Sequence, residues 1–446
     1  MPDNQPRAPR DGELARSNRR SAIWSRALAA LVVLVVVVSG FSWLSSGGVP
    51  NRLLGNNQSG SRQTDVGDRV GRREALAAQT LDRQASALAR GSQPNYLAAW
   101  DTSTVQAQQR AETTYQNLRD LGISSLDSRY VAADVGVSLA ERQRLGGDAW
   151  KADVEVSYAL DGYDSSPARM TVSYTFVRRG DRVLIVDVQA ATGERAPVWI
   201  LGPLSVRTSG RTLVAAASAA EARRVSQHLR QAVTDVQAVL PSWRGTLVAY
   251  VPETAAQLKS VLATAPGSYD DIAAVTTTVD GSAQQGAPVV VVVNASVFDR
   301  LGPIGSHVVI SHESTHAATG AAVVGMPLWV AEGFADYVGV GAVDVPISVS
   351  ARVVTRDVRR AGAPRALPSN DDFSAGQGDL ELAYERAWLA NRLIAAEHGE
   401  RSLVRFYRSV VARPADLAGA FDHLGTTEEA FTADWRRSLR TLAARG

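Results

Sequence analysis

The chain has 446 residues, a formal net charge of +2 at pH 7, and no cysteine. A chain without cysteine forms no disulfide and offers a metal ion no thiolate, which leaves histidine and carboxylate side chains as ligands. A net charge this small for this length gives no electrostatic reason to expect a nucleic-acid partner.

The N-terminal segment has the pattern of a membrane anchor. Residues 1–26 contain six arginines and three acidic residues. Residues 27–44 form an almost continuous apolar run, with Trp24 and Trp43 near its two ends. At 1.5 Å per residue this run spans about 27 Å, near the hydrocarbon thickness of a bilayer. The arginines predict a cytoplasmic N-terminus and an exported remainder, as in a bacterial single-pass membrane protein. A cleaved signal peptide is the alternative, but no A-x-A cleavage site follows the run.

The segment after the anchor is predicted to be a flexible linker that leads into a first domain. Residues 45–70 are rich in glycine, serine and asparagine and contain few apolar side chains. The first domain, residues 71–200, opens with a predicted amphipathic helix over 72–90, and Gly91 follows as its C-terminal cap.

The rest of the first domain has the alternation of a half-buried antiparallel sheet. Apolar and polar side chains alternate in 152–160, in 170–176 and in 183–188, with short polar turns between them. A helix laid on such a meander resembles the cone-shaped α+β fold of nuclear-transport-factor-two-like domains. No cluster of histidine, aspartate and arginine in this domain has a spacing that demands chemistry. A spacer, regulatory or dimerisation module is therefore the interpretation that we favour.

A second domain is predicted over residues 202–446. A capping box from Ser218 to Glu221 begins a long helix that Pro241 ends. Predicted strands at 246–251 and 288–293 follow, and the second directly precedes the most informative motif. Further helices are predicted near 346–361, 379–398, 400–412, 415–423 and 427–443.

The run His312-Glu313-Ser314-Thr315-His316 predicts a zinc site. Residues four apart on a helix project from one face, so His312 and His316 can bind one ion. Glu313 lies one position along the helix, where it can reach a metal-activated water without ligating the metal. The alternative is that both histidines lie on the surface of an amphipathic helix.

A second predicted helix supplies the remaining ligand. Pro327 suits its first turn, and Glu332 and Asp336 then share a face. We expect Glu332 to be the third ligand, and Asp336 to accept the free ring N–H of a ligating histidine. Alternatively, Glu332 is an acid favoured by the helix dipole and Asp336 is a solvated charge.

Together the runs H-E-S-T-H at 312–316 and P-L-W-V-A-E-G-F-A-D-Y at 327–337 resemble the bacterial peptidase-MA-like domains of the Glu-zincin metallopeptidases. The resemblance covers residues 205–446 and is specific at the two motifs. The metzincin pattern is excluded, because Thr319 and Ala322 stand where it needs glycine and histidine. The third ligand follows the motif after fewer residues than in thermolysin-like enzymes. The two later histidines, His398 and His423, fall at predicted helix ends and are interpreted as helix C-terminal residues in preference to catalysts.

The resemblance implies an α+β fold, with a mixed sheet and an active-site helix above a helical C-terminal half. It also implies one Zn²⁺, Glu313 as the general base, and a peptide or protein substrate of the cell envelope.

Zincins bind extended substrates along an edge strand, for which 289–293 is the candidate, with an ordinary core strand as the alternative. Related enzymes carry a tyrosine on a later helix, and Tyr384 occupies a similar place as a donor to the oxyanion. A tyrosine packed for structural reasons is the alternative.

The sequence therefore predicts a membrane-anchored, extracytoplasmic zinc metallopeptidase. Two other interpretations remain open: a catalytically inactive relative that serves as an envelope scaffold, and a tethered sensor whose ligand-binding part is the first domain.

Overall fold

The computed structural model describes residues 60–445 except 136, 147, 265–270 and 375–378, with side chains from residue 71 onward outside 132–136. The described chain is an α+β protein with two sheets, as predicted. None of its described helices is both long and apolar enough to cross a bilayer. The predicted basic segment 1–26 and apolar span 27–44 lie outside the described residues.

The first domain is a helix laid on an antiparallel meander. The four strands follow chain order across the sheet, and every second residue of the second strand is buried, as the alternation predicts. Helix α1 packs against the two outer strands. The elements are α1 (Gly60–Ala89), α2 (Gln93–Leu97), α3 (Val105–Asp120), β1 (Leu126–Val135), α4 (Leu139–Leu145), β2 (Ala149–Tyr158), β3 (Ala168–Arg179) and β4 (Arg182–Ala190).

Helix α1 (Gly60–Ala89) includes residues 60–70 of the segment predicted as a linker over 45–70. The linker prediction is therefore wrong for residues 60–70, and residues 45–59 lie outside the described residues. Once the turn near Arg72 is formed, each added residue gains one hydrogen bond for the two torsions it fixes, and no proline interrupts the extension. Gly91, at φ +65°, follows the helix in the left-handed conformation expected of a cap.

The second sheet has five strands in the order β5-β6-β7-β9-β8. Its three inner strands run parallel, and the outer strands β5 and β8 are antiparallel to their neighbours. The Ser218 side chain caps the long helix as predicted. The elements are β5 (Ser205–Ser209), β6 (Thr212–Ala216), α5 (Ala219–Val239), β7 (Leu247–Val251), α6 (Ala255–Leu262), β8 (Ala274–Thr278) and β9 (Val289–Val293).

The strand at 289–293 is an interior strand, so the prediction that it is the substrate-binding edge is wrong. It pairs with β7 on one side and with β8 on the other. A continuous run of valines is typical of a strand that is buried on both faces, and an interior strand meets this requirement. Its position in the chain, directly before the helix that carries the H-E-S-T-H motif, does not make it an edge strand. The edge strand on this side of the sheet is β8.

The two sheets share a hydrophobic core across the predicted domain boundary at 200–202. Alternate residues of the second sheet, among them Val214 and Val291, pack against α5 and against the helix that carries the H-E-S-T-H motif. The intervening residues, among them Tyr250 and Val292, lie in one cluster with α6 and with Trp199 and the first sheet. The first domain therefore covers one face of the second sheet.

The C-terminal half is helical, as predicted, and its core is rich in aromatic side chains. One predicted helix, 346–361, is broken at Ala351, where the Glu385 carboxylate accepts the N–H groups of Val353 and Val354 and so begins a new helix. The elements are α7 (Ala295–Phe298), α8 (Gly302–Thr319), α9 (Leu328–Gly341), α10 (Ile347–Ser350), α11 (Arg352–Ala361), α12 (Leu380–His398), α13 (Glu400–Ala412), α14 (Leu417–Asp422) and α15 (Glu428–Arg445).

Candidate metal centre

Helix α8 carries His312 and His316 one turn apart with their rings facing each other. The ring centroids are 4.7 Å apart, and the two Nε2 atoms are separated by 2.9 Å. Every side chain from residue 311 to residue 316 is at most 2% exposed. The alternative of surface histidines on an amphipathic helix is therefore wrong.

Helix α9 brings Glu332 against both rings. Its Oε2 atom lies 3.2 Å from Nε2 of His312 and 3.4 Å from Nε2 of His316. Two ligand atoms of one tetrahedral zinc, each at 2.0–2.1 Å, are about 3.3 Å apart, so this spacing fits zinc. Within the described part of the chain, these three residues form the one group of His, Cys, Asp or Glu side chains whose donor atoms converge this closely.

The electrostatics of the three donors also favour a cation. Asp336 accepts a hydrogen bond from Nδ1 of His312 at 2.8 Å, which leaves the Nε2 lone pair of a neutral ring facing the other two donors. Three buried lone pairs at this spacing repel one another unless positive charge lies among them. Burial lowers the pKa of His312, but the Asp336 and Glu332 carboxylates outweigh it and raise that pKa well above 6.5. A proton and a metal ion thus compete for the same place.

The side chain of Glu332 is a charged carboxylate near neutral pH. Burial raises its pKa, but the two histidines oppose this effect, and the net result is a pKa of about 2. The second ring nitrogen of His316 differs from that of His312, because Nδ1 of His316 is buried and has no hydrogen-bond partner among the described residues. Asp336 therefore fixes the tautomer of one histidine only.

Two glycines allow α9 to approach the neighbouring helices closely enough to form this site. A Cβ atom at Gly339 would lie 2.8 Å from the carbonyl oxygen of Val308, one turn before His312. A Cβ at Gly333 would collide with the backbone of Ala387 on α12 and with the side chain of Asn391. Gly333 follows Glu332 directly, so the close helix contact and the third ligand are built into the same turn. A glycine inside a helix is the sequence signal that could have indicated these contacts.

Glu313 lies beside the three donors without belonging to them. Its side chain is fully buried, and its Oε2 atom is 2.6 Å from the hydroxyl of Thr276 on strand β8. Its other oxygen, Oε1, is buried without a hydrogen-bond partner among the described residues. Burial raises the pKa of this carboxyl group, so it binds a proton more readily than an exposed glutamate does.

Tyr384 on α12 is placed at the same centre. Its ring centroid is 6.3 Å from that of His312, and the ring of Phe373 packs edge-on against it at 5.2 Å. Burial raises the pKa of the Tyr384 hydroxyl well above 10, and the nearby Glu332 carboxylate adds to this effect. The hydroxyl therefore keeps its proton and remains a hydrogen-bond donor. The structure thus brings together all six predicted site residues, from three different helices.

Two further residues, absent from the predicted site, support the H-E-S-T-H helix from outside. Asp235 on α5 accepts hydrogen bonds of 2.6 Å from both His307 and Ser311, which lie five residues and one residue before His312. The other is Thr276, which no sequence pattern indicates, because a threonine on a strand distant in sequence carries no motif. His307 lies four residues before Ser311 and shares its face of α8, so these two polar residues were the available signal for a contact on that face.

Comparison of the chain with protein-family models and with curated proteins finds no match. The resemblance to Glu-zincins therefore rests on the two quoted motifs.

Proposed function

We propose that this chain is a zinc-dependent metallopeptidase of the Glu-zincin type. One observation carries the proposal: His312, His316 and Glu332 converge on one point, while the non-ligating Glu313 beside them has a buried carboxylate oxygen without a hydrogen-bond partner among the described residues. Two imidazoles and one carboxylate are the ligand set of catalytic zinc sites that keep one position open.

The proposed mechanism assigns a role to each residue. Zinc, when bound, supplies Lewis-acid activation of water and of the substrate carbonyl group. Glu313 accepts a proton from the attacking water at Oε1 and delivers it to the departing amine. Asp336 holds the His312 ring in the tautomer that ligates through Nε2. The Tyr384 hydroxyl donates a hydrogen bond to the oxyanion that forms during the attack.

The organisation of the chain belongs to the same proposal. Residues 202–446 are a peptidase-MA-like domain, residues 71–200 are a nuclear-transport-factor-two-like domain, and residues 27–44 anchor both outside the cytoplasm. A helix on a four-stranded antiparallel meander supports the second assignment. N-terminal sequencing of the mature protein tests the anchor, because a start between residues 40 and 60 would show a cleaved signal instead.

The decisive experiment combines metal analysis with cleavage of a mixed peptide library. We expect about one zinc per chain, cleavage that a chelator abolishes and zinc restores, and loss of metal in His312→Ala. A freshly purified protein without metal, or full metal retention in His312→Ala, would refute the site. A zinc-loaded protein that cleaves no peptide or protein would instead support the inactive scaffold.

A further inference from the structure

Strand β8 contacts the carboxylate of Glu313 through one side chain. The Oγ1 atom of Thr276 lies 2.6 Å from Oε2 of Glu313 and 2.9 Å from the backbone oxygen of the same residue. Both side chains are fully buried. The shorter distance falls in the range of about 2.5–2.7 Å that is typical of hydroxyl bonds to a charged oxygen. We propose that Thr276 is a positioning residue that orients Glu313 for proton transfer, an inference that rests on the proposed function.

The two oxygens of Glu313 have different surroundings, and this difference carries the inference. Oε2 is held by Thr276, whereas Oε1 is buried without a partner among the described residues. Because both oxygens belong to one planar group, a hydrogen bond that fixes the first also determines where the second points. The hydroxyl of Thr276 therefore leaves Oε1 as the proton acceptor and limits the rotation of the carboxylate before substrate binds.

Thr276 is itself held on a rigid element. It pairs with Val291 in the sheet, and its branched side chain has few accessible rotamers. The next two residues are fixed by Arg195, whose Nη1 atom lies 2.5 Å from the carbonyl oxygen of Thr278 and 3.1 Å from Oγ1 of Thr277. Arg195 lies in the segment between the first and second sheets. The first domain thus contributes to holding the strand that orients Glu313.

If the role of Thr276 is purely structural, its hydroxyl donates to a different acceptor. A hydroxyl has one proton, and if that proton goes to the backbone oxygen of Glu313, Thr276 only joins strand β8 to helix α8. In that case the hydroxyl matters for stability and leaves the orientation of the carboxylate unchanged.

Three variants of the full chain separate these roles. Thr276→Val removes the hydroxyl and keeps the shape, and Thr276→Ser keeps the hydroxyl. Thr278→Val removes another buried hydroxyl of strand β8, which donates to the backbone oxygen of Ser282. We expect kcat to fall roughly 10- to 100-fold in Thr276→Val with KM little changed, and to stay near the wild-type value in the other two. Zinc content stays the same in all three. An unchanged kcat in Thr276→Val, or an equal loss in Thr276→Ser, would overturn the proposal.

Crystal structures of the wild type and Thr276→Val give a readout that is independent of activity. We expect a single orientation of the Glu313 carboxylate in the wild type and a rotated or divided one in the variant. An unchanged orientation would contradict positioning by Thr276. If the wild type binds zinc but cleaves nothing, the proposed function fails, and the carboxylate orientation still decides the role of Thr276. If Thr276→Val does not fold, Thr276→Ala and Thr276→Ser provide the same comparison.

Discussion

The carboxylate of Asp336 lies 2.8 Å from Nδ1 of His312, on the side of the ring opposite the convergent Nε2 atom. The two residues belong to α8 and α9, which pack against each other. This hydrogen bond fixes the tautomer of His312 and increases the electron density at Nε2, the nitrogen that faces Glu332 and His316.

Removing this carboxylate is expected to weaken metal binding without removing a ligand. Asp336→Asn should lower zinc affinity by roughly 10- to 100-fold, because the amide is a weaker acceptor for the ring N–H. Competition with a chromophoric chelator measures this change, and Asp344→Asn, at an exposed position after α9, is the control. Wild-type affinity in Asp336→Asn would show that the hydrogen bond does not tune the site.

Glu313, the proposed general base, and Tyr384, the proposed oxyanion donor, are expected to respond differently to conservative substitution. Glu313→Gln should keep zinc and fold but lose nearly all turnover, because the amide cannot accept the proton. Tyr384→Phe should lower kcat by roughly 100- to 1,000-fold with KM little changed, as for loss of one oxyanion donor.

Steady-state kinetics on one peptide substrate checks both variants. Near-wild-type kcat in Tyr384→Phe would reduce Tyr384 to a packed aromatic and leave the zinc site in place. Full activity in Glu313→Gln would contradict the mechanism itself.

The close packing of α9 is expected to depend on Gly333 and Gly339 and not on Gly341. Gly333→Ala and Gly339→Ala should each destabilise the fold by about 1–3 kcal/mol, because the added Cβ meets backbone atoms of α12 or α8. Gly341→Ala, at the end of the same helix, meets no atom within 4 Å and should be neutral or slightly stabilising. Denaturant unfolding measures all three. Equal effects at the three positions would show that helix propensity, and not contact, is responsible.

Glu385 is expected to make stability depend on pH. Burial raises its pKa from 4.5 to about 8, despite the N–H groups of Val353 and Val354 that favour the anion. A carboxyl group with a higher pKa in the folded chain binds its proton more tightly there. Its contribution to stability is therefore complete at low pH and is lost as the pH rises from about 4.5 to 8.

Urea unfolding of the wild type and Glu385→Gln over this pH range tests the prediction. The variant should lack the part of the pH dependence that Glu385 supplies, while Glu397→Gln, at an exposed position on the same helix, should retain it. Parallel curves for the wild type and Glu385→Gln would show that the carboxylate is charged throughout the range.

The second domain is expected to fold poorly without the first. Cutting the chain at residue 202 would remove Trp199 and the first sheet from the cluster that contains Tyr250 and Val292. It would also remove Tyr163, whose backbone oxygen accepts a hydrogen bond from Thr246. We expect residues 202–446 to aggregate or unfold without cooperativity, as measured by calorimetry, while residues 60–446 unfold cooperatively. A cooperative, soluble 202–446 fragment would show that the two cores are independent.

The sequence determined the parts of this protein that depend on local spacing. Residues four apart on a helix share a face, so the H-E-x-x-H run specified His312 and His316 as neighbours, and the second motif specified Glu332 and Asp336 in the same way. Alternation of apolar and polar residues likewise predicted β2, β3 and β4, because the side chains of a strand point to opposite faces in turn.

Only the tertiary structure decided which strand forms the edge, which residue contacts Glu313, and what covers the second sheet. Strand order is set by the pairing of segments distant in the chain, so nothing in the five valines of 289–293 could show that β8 lies outside them. Thr276 and Glu313 are 37 positions apart, and their contact exists because the edge strand and the motif helix pack together. Such contacts arise from the fold as a whole, since the burial that stabilises them is shared among residues that no local pattern connects.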